Sequence, residues 1–522
     1  MTASSKITYS SAAADMGEFH KRFDDAIARL RAESGKDHPL WIDGEPVTAD
    51  NPPVVDVMPA DSSFVLGRFA AAGPAQVQMA IAAARRAQRP WGSTPWQDRV
   101  RILRRAAELV RERKYDIAAL MSLEVGKSRM ESMGDAEESA DLIDYYCTQL
   151  EEAQGFVKPL GKLSPNEKTS SVLRPWGVFA CIAPFNFPMA LSTGMSSAAL
   201  LGGNAVVFKP PQDCPWTPLW LYRCYADAGV PRGVFNYVSG RASEMGQSLW
   251  RTDDVDGIVF TGSKDVGMRL AREFSTRFQK PVLMELGGKN AAIVTESADL
   301  DMAAEGVMKS AFGLQGQKCS ACSRVYVDRK VAEPFLKLLL AKTAAIVKGD
   351  PSERDVYFGP VINAKAVATF EGAARSAKDG GGEILAGGGR LTGGVFDRGH
   401  FVEPTIAKLP LDHEIFMREL FVPFLSVGII SGLDEALREA NKVDYGLTAG
   451  IFSAKKDEID RFFDEIEAGC VYANRRSGAT TGAWPGVNTF VGWKGSGSSG
   501  KGGCGPYYVA QFMREQGRTL ME

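Results

Sequence analysis

Between residues 178 and 294 short β-rich apolar runs alternate with helical stretches: VFACIAPFN, AVVFKP, GVFNYVSG, DGIVFTGS and VLMELGGKNAAIV. Runs of this kind suit strands buried on both faces, and the arrangement that covers both faces is a parallel sheet flanked by helices. The second half repeats the style with SRVYVD, FLSVGII, LTAGIFS and CVYANR, separated by helical segments such as VAEPFLKLLLAKTAAIV. The chain therefore reads as an α/β protein with two such domains, and 522 residues leave room for further elements.

Residues 1–40 are polar and mixed, with a helical patch at HKRFDDAIARLRAE, and read as a peripheral extension before WIDGEPV, where the folded part is expected to start. Over 96–124, Val100, Leu103, Ala106, Ala107 and Val110 recur at three- and four-residue spacing and predict an amphipathic helix. Another helix is expected through DAEESADLIDYYCTQLEE. The segment 153–175 breaks the βα rhythm and reads as an extended arm of the kind that pairs across a subunit interface. Glycine clusters at 379–394 and 492–505 mark turns.

A net charge of −2 lacks the basic excess of a nucleic-acid or anionic-membrane binder, so neither is an expected partner. No apolar run reaches about 18 residues and the start lacks a secretory pattern, which makes the cytoplasm the expected location. Eight cysteines are too sparse for a disulfide framework in so long a chain. Cys319 and Cys322 form a C-x-x-C without a second pair or a nearby histidine, so no metal site is expected. With only four histidines, none in a motif that presents it to a thiol, a Cys-His hydrolase is disfavoured. EVGKS at 124–128 ends like a phosphate loop but has Met121 where the leading glycine belongs. GSKDVG at 262–267 lacks the dinucleotide fingerprint, although FTGS lies between a strand and a helix, where backbone N–H groups could face a pyrophosphate.

The chemistry centres on Cys319 in GLQGQKCSACSR, 34 positions after Glu285 in MELGGKN. A thiol that attacks a carbonyl carbon gives a covalent intermediate, and a carboxylate beside it can deprotonate the water that releases the acyl group. That pairing suits aldehyde oxidation, whereas a cysteine taken alone reads as a small core thiol. APFNFP at 183–188 holds Asn186 rigidly after a strand, as an oxyanion donor or as a turn residue. VFKPP puts Lys209 at the end of the next strand, within reach of a ribose or phosphate or simply of solvent.

PFNFP, FKP, FTGS, MELGGKN, QGQKCSACSR, RELFVP and FVGWKGSG, in that order, resemble the aldehyde dehydrogenase superfamily from WIDGEPV to the C-terminal glycine run. The resemblance implies a Rossmann-type NAD(P)-binding domain (41–152 and 176–287), an α/β catalytic domain (288–487) and a small oligomerisation arm (153–175 and 488–522), in a homodimer or homotetramer. It implies Cys319 as nucleophile, Glu285 as general base, and Asn186 with the Cys319 backbone N–H as oxyanion hole. Lys209 and Ser263 would hold the adenosine and pyrophosphate parts of the cofactor. Glu419 would bind the nicotinamide ribose with Phe421 nearby, and Ile182, Phe185, Gln212, Gly262 and Leu286 would complete that site. The implied cofactor is NAD; Gln212 replaces a common carboxylate and so removes a charge that would repel a 2′-phosphate, which leaves NADP open.

QGQKCSACSR, the later NRR…TTGA and the GPYYVAQF tail look most like 1-pyrroline-5-carboxylate (L-glutamate γ-semialdehyde) dehydrogenases. In that subfamily the substrate carboxylate is anchored by positions matching Ser320, Gly482 and Ala483, with Phe187 and Phe490 lining the substrate site. Backbone N–H groups and a hydroxyl suit that task. The chain departs from the pattern at 476–480, an insertion expected to displace the anchor loop, and at Val422, Thr489 and Val491. Another semialdehyde or a plain aldehyde as substrate, coenzyme A as acyl acceptor, and a non-catalytic scaffold are the alternatives; Glu285 speaks against the second, and Cys319, Glu285, Asn186 and Glu419 together against the third.

Overall fold

The central strands of the first sheet carry side chains that are buried on both faces, which explains their unbroken apolar character. Its order is Val282–Glu285, Gly257–Thr261, Val178–Ile182, Ala205–Lys209, Phe235–Tyr237, all parallel, extended by the antiparallel pair Leu40–Ile42 and Glu45–Val47. Numbered along the chain from Val178, the five parallel strands lie in the order 5-4-1-2-3. The direction of winding therefore reverses between Val178–Ile182 and Gly257–Thr261, and a crevice opens there at the carboxyl ends. The computed structural model describes residues 16–275 and 277–522, so the first fifteen residues of the expected extension lie outside the described residues.

The second sheet runs Glu383–Ala386, Thr405–Lys408, Phe424–Ile430, Cys322–Asp328, Asn290–Val294, Thr448–Phe452, Cys470–Ala473, parallel except for its first strand. VLMELGGKNAAIV thus spans two strands in different sheets: Val282–Glu285 edges the first and Asn290–Val294 enters the middle of the second. The change of sheet falls at Gly287 and Gly288, and Glu285 is left at the junction.

The helix predicted over 96–124 is two helices, Trp96–Glu112 and Lys114–Val125, separated at Arg113, whose φ of −100° and ψ of 5° leave helical geometry. The second is buried without a break from Ile117 to Val125, so it has no exposed polar face there to continue the stripe. Arg129–Glu152 follows, N-capped by the Ser128 hydroxyl, which accepts from the Glu131 N–H.

The described part of the N-terminal extension is built into the fold rather than lying at its edge. Helix Gly17–Glu33 buries Phe19, Phe23, Ala26 and Leu30 against the main core, at about 1.5–3 kcal/mol for each large side chain, and Lys36–His38 pairs in parallel with Asp61–Ala71. The arm is a three-stranded antiparallel sheet of Val157–Pro159, Glu167–Pro175 and the C-terminal Met513–Met521. Among the described residues no helix is long and apolar enough to cross a membrane.

Candidate active site

The Cys319 loop is held under strain. It leaves helix Leu300–Phe312 through a turn in which Leu314 (φ 47°), Gln315 (φ 53°) and Gly316 (φ 67°) are successively left-handed. Non-glycine residues adopt that region at a cost, so surrounding bonds must enforce it. The Leu314 N–H donates to Glu131 Oε2 (2.9 Å), and the Gln317 side chain accepts from the Ile362 N–H (2.9 Å). Beyond the turn, Asn290 Nδ2 donates to the carbonyls of Cys319 (2.7 Å) and Ala321 (2.9 Å). Gly288 must lack a side chain because a Cβ there would collide with the Cys319 carbonyl. The two motifs singled out in the sequence are thus interlocked through their backbones.

Cys319, Ser320, Glu285, Phe187, Gly482, Ala483 and Phe490 line one cavity of about 440 Å³, with Leu142, Tyr146, Met195 and Tyr508 as further walls. The thiol is pushed up to about 12, by burial first and then by the charges of Glu419 and Glu285, while the N–H groups of Ser320 and Cys319 act in the opposite direction. Glu285 sits under the glycine strap 492–497: the Gly492 N–H donates to its carboxyl, and Leu286 N–H donates to the Ser496 carbonyl (2.8 Å). Burial raises the Glu285 carboxyl well above the carboxylate range, and its Oε2 has no partner among the described residues. A buried carboxyl with raised proton affinity and a free oxygen is suited to taking a proton from water.

Asn186 is 2% exposed and does not itself line the cavity, whereas its neighbour Phe187 does. Its backbone carbonyl accepts from Lys127 Nζ at 2.9 Å. The implied cofactor residues gather along the carboxyl ends of the first sheet: Ile182 and Lys209 end their strands, Gly262 and Ser263 form the turn after Gly257–Thr261, and Leu286 follows Glu285. Lys209 is 6% exposed, its ammonium donates to the Pro210 carbonyl (3.2 Å), and burial lowers it to about 8. The Ser263 hydroxyl is at the N-cap of helix Lys264–Phe274 without capping it. Gln212 is exposed. Glu419 Oε1 accepts from the Gly288 N–H (2.8 Å), burial raises it to about 7, and Phe421 packs edge-on against Phe185 with ring centroids 5.8 Å apart. A buried ammonium, an uncapped helix start and a carboxylate beside the thiol fit the phosphates and hydroxyls of a dinucleotide.

The insertion at 476–480 leaves the anchor loop at the cavity. Arg476 pairs with Asp301 and Glu305, Ala479 N–H donates to the Gly306 carbonyl (3.0 Å) and Thr480 N–H to Ser310 Oγ (3.1 Å), so the extra residues lie along helix Leu300–Phe312. Thr480 Oγ1 donates to the Ser320 carbonyl (2.7 Å), tying the loop to the residue after the nucleophile. Sequence reasoning missed Arg475, which lines the cavity and donates to the Gly482 carbonyl (2.7 Å), and Lys318, which lines it next to Cys319. Arg475 is the first arginine of the NRR run, and that run was the available signal.

Residues 47–516 match the aldehyde dehydrogenase family. The chain is 35% identical over 503 residues to 1-pyrroline-5-carboxylate dehydrogenase of Oceanobacillus iheyensis, covering 95% of each chain. It is 36% identical over 508 residues to 1-pyrroline-5-carboxylate dehydrogenase 2 of Bacillus subtilis, covering 96% of each. A solved structure of 1-pyrroline-5-carboxylate dehydrogenase from Thermus with bound NAD superposes with a TM-score of 0.93 at 34% identity, covering 100% of both chains.

Proposed function

The chain belongs to the aldehyde dehydrogenase family, and on that premise we propose that it oxidises L-glutamate γ-semialdehyde to L-glutamate with NAD. The observation that carries the substrate is that Ser320, Gly482 and Ala483 share a cavity with Cys319 and Glu285. The hydroxyl and two backbone N–H groups would hold the substrate carboxylate at one end while the thiol meets the aldehyde at the other.

Cys319 releases its proton to solvent, and the thiolate attacks the carbonyl carbon, forming a C–S bond as the C=O π pair moves onto oxygen to give an oxyanion. The oxyanion takes hydrogen bonds from the Cys319 N–H and the Asn186 amide. NAD, when bound, supplies the acceptor for the hydride that leaves this carbon. The acyl group then remains on sulfur as a thioester, and Glu285 takes a proton from the water that hydrolyses it. Burial raises the proton affinity of Glu285, so its ionised carboxylate is a stronger base toward that water than an exposed one. Lys209, Ser263, Glu419 and Phe421 would hold the cofactor. The exposed strand Val157–Pro159 and the arm sheet around it would pair in a homo-oligomer.

The test is NADH formation with glutamate γ-semialdehyde, beside succinate semialdehyde and an unbranched aliphatic aldehyde, with Cys319→Ala as control. A strong preference for the first substrate, lost in the variant, is expected. Equal or better rates on the others would overturn the substrate and keep the chemistry.

A further inference from the structure

EVGKS, which fails as a phosphate loop, performs a different task. Gly126 closes helix Lys114–Val125 in the left-handed region (φ 84°) and turns the chain inward, so that Lys127 is fully buried. Its ammonium donates to Asp135 Oδ2 (2.7 Å) and to the Asn186 carbonyl (2.9 Å), and lies 3.6 Å from the centroid of the Phe187 ring. Asp135 is equally buried, and its Oδ1 accepts from the Ala190 N–H (2.7 Å) at the start of helix Ala190–Leu201. One ion pair therefore grips both ends of the segment 186–190.

Glu131 stands one turn earlier, on the same face of Arg129–Glu152 as Asp135. It pairs with Lys318, adjacent to Cys319, and accepts from the Leu314 N–H in the left-handed turn. A single helix thus reaches two loops, one carrying Asn186 and Phe187 and one carrying Cys319. Buried ion pairs add little net stability over an apolar pair of the same size, so geometry is the more informative reason for this one.

We propose that Lys127, held by Asp135, is a positioning residue for the aldehyde chemistry: it sets the Asn186 amide and the Phe187 ring against the Cys319 loop, which Glu131 and Lys318 register from the same helix. This rests on the reading of Asn186 as an oxyanion donor. Without the ammonium, the Asn186 peptide loses the side-chain bond that holds its carbonyl, and misplacement by about 1 Å costs up to roughly 10²-fold in rate.

The test compares Lys127→Met, Asn186→Ala and the double variant, measuring kcat on glutamate γ-semialdehyde and on an aliphatic aldehyde, Kd for NAD, and Tm. Asn186→Ala is expected to lose roughly 10²- to 10³-fold in kcat, and Lys127→Met roughly 10- to 100-fold. Because Lys127 acts through Asn186, the double variant should fall within about twofold of Asn186→Ala alone, with Kd for NAD unchanged. Multiplying losses, or a lower Tm with wild-type kcat, would overturn the inference. Where Lys127→Met does not fold, Lys127→Met/Asp135→Asn takes its place, since it removes both charges and keeps an acceptor for Ala190. Wild-type rates in Asn186→Ala overturn the inference through its premise. Wild-type activity on the aliphatic aldehyde alone refutes only the substrate, and the same comparison is then made on that aldehyde; inactivity on every aldehyde overturns both readings.

Discussion

Gly287→Ala puts a methyl group where the Glu419 carboxylate now lies. A Cβ at this position would fall more than about 1 Å inside the ~3.5 Å of ordinary contact with the carboxylate. The obstacle is the far end of a flexible side chain, so the fold survives and Glu419 swings away. It then loses the Gly288 N–H that holds it at 2.8 Å. A hydrogen bond to a charged group contributes about 1.5–3 kcal/mol, and displacing Glu419 also removes its reach to the cofactor ribose, so affinity for NAD should fall roughly 10- to 150-fold. The assay is Kd for NAD by quenching of tryptophan fluorescence, with KM for NAD at saturating aldehyde beside it. The thiol should be at least as reactive toward iodoacetamide as in wild type, because the Glu419 charge moves away from it while the Cys319 loop still rests on Gly288 and Asn290. An unchanged Kd in a folded Gly287→Ala protein would refute the assignment of Glu419 to the cofactor.

Glu285→Gln keeps the shape of the base and removes its proton affinity; a single burst of NADH followed by turnover slowed roughly 10²- to 10⁴-fold is expected in rapid-mixing traces, and steady turnover without a burst would count against Glu285 as the deacylating base. Arg475→Ala removes the guanidinium that braces the Gly482 carbonyl, so KM for the carboxylate-bearing substrate should rise about tenfold while that for an aliphatic aldehyde stays within about twofold; parallel changes would assign Arg475 to loop stability alone. Asp56 and Glu124 are buried and face each other, burial raising Asp56 well above the carboxylate range and Glu124 to about 7. Both folded values lie above the unfolded ones, so the folded protein holds protons that the unfolded chain has released by about pH 5, and stability declines as pH rises through about 7. Asp56→Asn should therefore shrink the fall in Tm between about pH 6 and about pH 9 relative to wild type, and an unaltered fall would assign the pH dependence to other groups.

Local pattern was enough for much of this protein. Strands such as Val178–Ile182 and Ala205–Lys209 announce themselves because burial on both faces leaves no room for polar residues, and Cys319, Glu285 and Ser320 stand in segments whose composition reflects the chemistry expected of them. What depended on contacts between distant parts of the chain could not be read in that way. Lys127 looks like any loop lysine until Asp135, Asn186 and Phe187 close around it, and Arg475 looks like a solvated charge until its loop folds back on Gly482. The change of sheet at Gly287 and Gly288 is hidden inside one apolar run, since periodicity records whether a residue is buried and not which sheet buries it. The residue types that can attack, accept a proton or bind a carboxylate were therefore set by the sequence alone. Only the tertiary structure decided which of them meet in one cavity and which buried charges hold them there, because burial and pairing are properties of neighbours brought together by folding.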